Sequence, residues 1–154
     1  MKLNNVKALG IGGVLMILIA VTVSWKPGDQ QELPGMTVYK SQWCGCCTQW
    51  VAHMRDNGFE VEVEEMNDLS PIKTRYGVTR ELSSCHTAVV DGYVVEGHVP
   101  ADLVKRLLRD RPDVVGLAVP GMPIGSPGME GPNKEAYNVL TFDDDGESAV
   151  YARR

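Results

Sequence analysis

Three cysteines, Cys44, Cys46 and Cys47, fall within four positions, where an apolar strand pattern gives way to a helical one. Residues 36–40 (Met-Thr-Val-Tyr-Lys) alternate as a short strand, and residues 41–45 read as a loop. Residues 46–57 place Trp50, Val51 and Met54 on one helical face, with Asn57-Gly58 as a C-cap. No other feature restricts the fold as much. The junction has to hold three sulfurs at the unpaired N–H groups of a helix start, which ties strand, turn and helix to one local geometry.

The rest of the chain continues in the same alternating style. Phe59, Val61 and Val63 alternate with Glu60, Glu62 and Glu64, which is strand periodicity over residues 59–66. Residues 68–76 begin a second helix, with Asp68 or Ser70 as its cap and Pro71 in its first turn. Residues 86–90 and 93–97 make a hairpin about Asp91-Gly92. An amphipathic helix follows over residues 100–109, with Leu103, Val104, Leu107 and Leu108 inward. Residues 116–132 are too rich in glycine and proline for regular structure. A last hairpin joins residues 137–142 to 148–151 through the turn 143–146. The succession β-loop-α-β-α, then β-hairpin-α, is the thioredoxin order. The expected fold is α/β and thioredoxin-like: a central mixed sheet with flanking helices, a C-terminal Gly/Pro-rich loop and a β-hairpin.

Residues 8–25 carry no charge; they follow Lys2 and Lys7 and end at Lys26-Pro27. A basic start, an apolar middle and a helix-breaking end are the parts of an export signal. The run also meets the lower limit for spanning a bilayer. A cleaved signal peptide and a retained anchor both fit residues 1–26. Residues 27–35 read as a polar linker, and residues 36–154 as the folded domain, placed outside the cytoplasm. The whole chain has a net charge of −5; residues 1–26 hold three Lys and no acid, so the remainder, with 12 basic and 20 acidic residues, stands near −8. That charge excludes nucleic acid as a partner, because neutralising phosphates needs a basic face.

Cys44 and Cys47 have the C-x-x-C spacing of a redox pair. The N–H groups and dipole of a helix start favour thiolates and lower thiol pKa values. Dithiol exchange needs only two sulfurs, however. Cys46 is a third, and Cys85 stands just before the third strand, in a loop that the thioredoxin order packs against the first helix. Four sulfurs suit a soft metal such as Cu(I), Zn(II) or an Fe–S cluster. Two other readings stand beside metal binding: a thiol-disulfide oxidoreductase using Cys44 and Cys47, and a disulfide-closed structural binding module. Residues 82–87 (Leu-Ser-Ser-Cys-His-Thr) lack the proline that thioredoxin-type enzymes carry before the third strand, which disfavours exchange. Among metals, Fe–S clusters want wider ligand spacing, and a domain with this apolar content folds without structural zinc. Closely spaced thiolates bridge, so more than one Cu(I) can share four sulfurs.

Histidines and methionines supply secondary candidates. His53 lies two helical turns beyond Cys46, about 10 Å away. His86 adjoins Cys85, and alternation along an extended segment turns it away from the site. His98 ends the hairpin as a surface residue or a cap for the next helix. Pro120-Gly121-Met122-Pro123 and Pro127-Gly128-Met129-Glu130 echo each other. Thioethers are soft ligands for Cu(I), and they also fill irregular gaps well. The expected ligands are Cys44, Cys46, Cys47 and Cys85, with His53, His86, Met122 and Met129 as secondary metal candidates.

These motifs together carry a resemblance. Tyr39-Lys40-Ser41, Cys44-Gly45-Cys46-Cys47, Trp50, His53, Ser84-Cys85-His86-Thr87-Ala88, Gly92-Tyr93 and Glu96-Gly97-His98-Val99-Pro100 belong to it, as does the stretch from Gly116 to Glu130. The chain resembles the CopG-type proteins, periplasmic thioredoxin-like metal-binding proteins of bacterial copper resistance long described only as a domain of unknown function. The likeness runs from about Thr37 to Tyr151. It implies Cu(I) as the bound metal, held by Cys44, Cys46, Cys47 and Cys85 in a multinuclear, thiolate-bridged cluster. It also implies interconversion of Cu(I) and Cu(II) in copper detoxification. The implied location is the periplasm, with residues 8–25 as an inner-membrane anchor if retained, and the implied partners are copper ions and periplasmic copper-efflux or copper-oxidising proteins. Gln42 stands where the family often has proline, a departure that leaves every thiol in place.

Overall fold

Seven strands make one mixed sheet in the computed structural model, which describes residues 32–154. They are β1 (Met36–Lys40), β2 (Val61–Glu65), β3 (His86–Val90), β4 (Tyr93–Glu96), β5 (Gly116–Ala118), β6 (Asn138–Phe142) and β7 (Ser148–Arg153). Their spatial order is β2-β1-β3-β4-β5-β6-β7. Helix α1 (Gly45–Asp56) joins β1 to β2, α2 (Ser70–Arg75) joins β2 to β3, and α3 (Ala101–Asp110) joins β4 to β5. The export segment expected over residues 1–26, and most of the linker, lie outside the described residues. No helix among the described residues is long and apolar enough to cross a membrane.

The element order through α3 is the one expected, and alternation explains its core. β1 buries every second residue, and β2 presents Val61 and Val63 inward with Glu62 and Glu64 outward. Trp50, Val51 and Met54 of α1 and Leu103, Val104 and Leu107 of α3 pack with Val38, Val90, Val95 and Leu117 in the larger core. Each such side chain contributes about 1.5–3 kcal/mol when fully buried. A smaller cluster of Val78, Leu82, Val94, Ala118 and Phe142 lies on the opposite face, as the alternation of Val94 with its neighbours requires.

Two local expectations are corrected. The Gly/Pro-rich stretch opens with a strand, β5, where irregular backbone was expected. β5 runs parallel to β4 and antiparallel to β6, so tertiary pairing overrides weak local preference. It fits because Gly116 lacks a side chain: a Cβ there would collide with the backbone of Val94, whose nitrogen lies 2.9 Å away. The second helix starts after Leu69 with no side-chain cap, and Asp68 Oδ1 instead accepts the Ser70 N–H at 2.9 Å. Leu108, expected inward, does pack against the larger core, from a half-buried position at the flank of α3.

Register brings the functional loops to one end of the sheet. Lys40, the last residue of β1, pairs with His86, the first of β3. The turn leaving β1 toward α1 therefore meets the loop entering β3. Thr87 pairs with Glu96, and Glu96 with Ala118, so the loops after β4 and β5 emerge at the same end. Four loops far apart in sequence converge there.

Candidate metal centre

Cys44 is the N-cap of α1, in extended backbone conformation, and its Sγ accepts the Cys47 N–H at 3.3 Å. This is the usual capping interaction with sulfur in place of oxygen. It turns Cys44, Cys46 and Cys47 toward one another. Cys44 Sγ lies 3.5 Å from Cys46 Sγ, and the buried Cys47 Sγ lies 3.4 Å from Cys85 Sγ. All four sulfurs lie within 4.8 Å of one another. Cys44 and Cys47 are joined as a disulfide with Cα atoms 5.3 Å apart, whereas Cys46 and Cys85 are free thiols.

Cys85 belongs to a second group as well. Its Sγ stands 3.0 Å from His98 Nε2 and 3.5 Å from His86 Nδ1, and those three ligand atoms also lie within 4.8 Å of one another. Both imidazoles are fully buried. His98 Nδ1 lies 2.8 Å from the Pro127 carbonyl. A carbonyl can only accept, so Nδ1 carries the proton and Nε2 of the neutral ring keeps its lone pair toward Cys85. His86 packs against Trp50 with ring centroids 4.4 Å apart, and its Nε2 has no hydrogen-bond partner among the described residues. Trp50 is itself fixed by its indole N–H, which donates to Val99 O at 2.9 Å.

The electrostatics separate the thiols. Burial, followed by the neighbouring Cys46, pushes the Cys85 thiol up to about 12. The expectation that the helix start lowers the thiol pKa values therefore fails for Cys85, where burial outweighs it. A cation would reverse this, because a coordinating metal deprotonates its thiol outright. Burial lowers the pKa of His98, and lowers that of His86 further with help from His98 and Lys73. Both rings are thus neutral at neutral pH, the form that binds a metal. Sulfur and neutral imidazole donors around a buried, unpartnered nitrogen fit a soft metal ion.

The sequence and structure are similar to solved proteins. Two solved structures of copper resistance protein CopG match at 46% identity: Form 2 over 80% of this chain and 99% of that one with a TM-score of 0.76, and Form 1 over 80% and 98% with a TM-score of 0.75. The chain belongs to the CopG family. A family described as "Protein of unknown function, DUF411" matches residues 82–129, which include Cys85, His86 and His98. No curated protein matches.

Within this CopG-family fold the other expected residues take distinct places. His53 lies outside both ligand groups: its Nε2 accepts the Ala101 N–H at 3.1 Å, capping α3, whose own N-cap residue is Pro100. The capping role expected of His98 thus falls to His53. His98 is instead a buried neighbour of Cys85, and its sequence signal was its place at the same sheet end as the cysteine loop. His86 also faces Cys85 rather than away from it, because Cys85 lies on a bend just before β3 and strict alternation does not cross the strand start. Met122 is 51% exposed, and Met129 is half-buried on a tight turn whose N–H donates to Ser126 O. The turn holding Met129 rests on α1: a Cβ on Gly128 would stand 2.6 Å from Cys46 O and 2.8 Å from Trp50 N.

Proposed function

We propose that the chain is a periplasmic Cu(I)-binding protein of copper resistance, with copper as its cargo. One observation carries the reading: four cysteine sulfurs within 4.8 Å of one another at a helix start, with Cys85 also against two buried neutral imidazoles. Soft thiolates select Cu(I), and the relatives matched at 46% identity are copper resistance proteins. In the reduced chain Cys44, Cys46, Cys47 and Cys85 hold copper, and a bridged, multinuclear arrangement suits sulfurs this close. His86 and His98 extend the donor set. Residues 1–26 direct the chain out of the cytoplasm and, if retained, anchor it to the inner membrane. Periplasmic copper-efflux or copper-oxidising proteins are the partners such a role calls for.

The Cys44–Cys47 disulfide supports a redox role at the same site. Two Cu(II) ions accept one electron each from the Cys44 and Cys47 thiols. The products are two Cu(I), one disulfide and two protons released to solvent. The same disulfide also supports a thiol-disulfide oxidoreductase, which would reduce a protein disulfide such as insulin's and would not need Cys46 or Cys85.

Anaerobic competition between the reduced chain and a Cu(I) chelator tests the main reading. At least one tightly held Cu(I) per chain is expected. Affinity like that of the unmodified chain after Cys46→Ser and Cys85→Ser would remove the four-thiolate site. Insulin reduction that survives both substitutions would favour the oxidoreductase.

A further inference from the structure

Glu96 ends β4 with no exposure to solvent, beside the loop that carries Cys85. Its carboxylate takes donors from three different segments. Lys73 of α2 forms an ion pair with Oε1, the Ser84 N–H donates to the same oxygen at 2.6 Å, and Thr87 Oγ1 donates to Oε2 at 2.6 Å. Lys73 Nζ also reaches Thr87 Oγ1 at 3.3 Å, closing the network. Burying a carboxylate this deep is costly unless it is paired and hydrogen-bonded, and here it is both. Buried ion pairs add little stability over apolar residues of the same volume, so stability alone does not account for this one.

What the network holds is a single stretch of backbone. Ser84 directly precedes Cys85. Its N–H is bound by Glu96, its hydroxyl donates to the Gly121 carbonyl, and the Gly121 N–H donates to Ser83 O at 3.2 Å. Residues 83 and 84 are therefore gripped from β4 on one side and from the loop after β5 on the other. Loop residues without regular pairing otherwise keep their freedom. We infer that Glu96 is a positioning residue for Cys85: its carboxylate, with Lys73 as counter-ion, fixes the Ser84 backbone and so sets where the Cys85 sulfur stands relative to Cys47 and His98. The geometry is independent of the bound metal; its consequence for copper rests on the function proposed above.

Two variants test it in the full chain. Glu96→Gln removes the ionic partner of Lys73 and leaves one amide oxygen for Ser84. Glu96→Leu combined with Lys73→Met removes the whole grip without leaving an unpaired charge, which is the substitution pattern that best preserves folding. The first measurement uses metal-free chain with Cys44, Cys46 and Cys47 replaced by serine. Iodoacetamide should alkylate Cys85 at least about tenfold faster in the paired replacement, with a smaller rise for Glu96→Gln, while circular dichroism stays native. Alkylation at the parent rate in both overturns the inference, and if the paired replacement does not fold, Glu96→Gln decides by the same criterion.

The second measurement is Cu(I) affinity with all cysteines present. A loss of about 10–100-fold is expected on releasing Glu96, and none when Cys85 is already serine. Equal losses in both backgrounds would mean that Glu96 acts on the fold at large, and would overturn its assignment to Cys85. Failure of the unmodified chain to bind Cu(I) sinks the copper reading, and the alkylation rate then decides the role of Glu96 by itself.

Discussion

The sulfur cluster is built in two different ways. Cys44, Cys46 and Cys47 are arranged by one helix start, through a cap and a single turn. Cys85 is arranged by contacts that span the chain: Glu96 through Ser84, Gly121 through the Ser84 hydroxyl, and His98 through the Pro127 carbonyl. The helix-borne thiols come from local geometry that forms with α1 itself. The loop-borne thiol exists in place only after β3, β4 and β5 have paired. Local thiols make a redox pair available, and the long-range thiol with its imidazoles converts that pair into a many-donor site.

Serine substitution measures the contrast directly. Cys85→Ser removes the atom common to both ligand groups, and should cost about 3 kcal/mol of Cu(I) binding, or roughly hundredfold in affinity. Cys46→Ser, which touches only the four-sulfur group, should cost less. Equal losses in chelator competition would erase the difference between the two kinds of thiol.

Gly128→Ala tests whether the helix-borne turn is purely local. Gly128 holds a φ of +84° against Cys46 O and Trp50 N, so an added methyl forces both strain and collision. A loss of about 2 kcal/mol is expected, seen as a fall in Tm of several degrees. An unchanged Tm would show that the loop does not press on α1 in solution.

His98→Ala should lower Cu(I) affinity about tenfold, or 1.4 kcal/mol, by removing both a donor and the tie to Pro127. The spectrum of a bound Co(II) probe should shift if nitrogen leaves the donor set. His53→Ala should leave Cu(I) affinity unchanged and cost about 1 kcal/mol of stability, through the lost cap on Ala101.

The same residue gives a pH signature. Burial lowers the His53 pKa from the usual 6.5, so the folded chain binds fewer protons there than the unfolded chain. Stability from this site is complete above about pH 6.5 and is lost as the pH falls below it. His86 and His98 shift in the same direction. Urea unfolding of metal-free chain should show the decline on acidification, and His53→Ala should make it shallower.

This division also explains what could be read from the amino-acid order. The helix-borne thiols were legible because spacing alone places Cys44 before Cys47 at a helix start. β1, α1, the first hairpin and the last one followed from alternation and turn residues. Cys85 was placed because the element order brings its loop to the helix. His98 was not, although the hairpin about Asp91-Gly92 returns β4 to the end of the sheet where β3 begins beside Cys85. His53 carried a misleading signal: its spacing suggests the sulfur face of α1, yet the free N–H of Ala101 claims its ring. β5 was hidden because three residues in a Gly/Pro-rich stretch have no periodicity of their own, and their pairing comes from β4 and β6.

That short strand has a further consequence. β5 is the seam along which the last two strands are sewn to the first four, and at Gly116 the seam has no room for a Cβ. The loop that leaves β5 contains Gly121, which grips Ser84, and Pro127, which grips His98. A methyl group at position 116 would part the two halves of the sheet and loosen both grips at once. A residue without a side chain, remote in sequence from all four cysteines, thus sets how firmly the sulfur-bearing end of the molecule is closed.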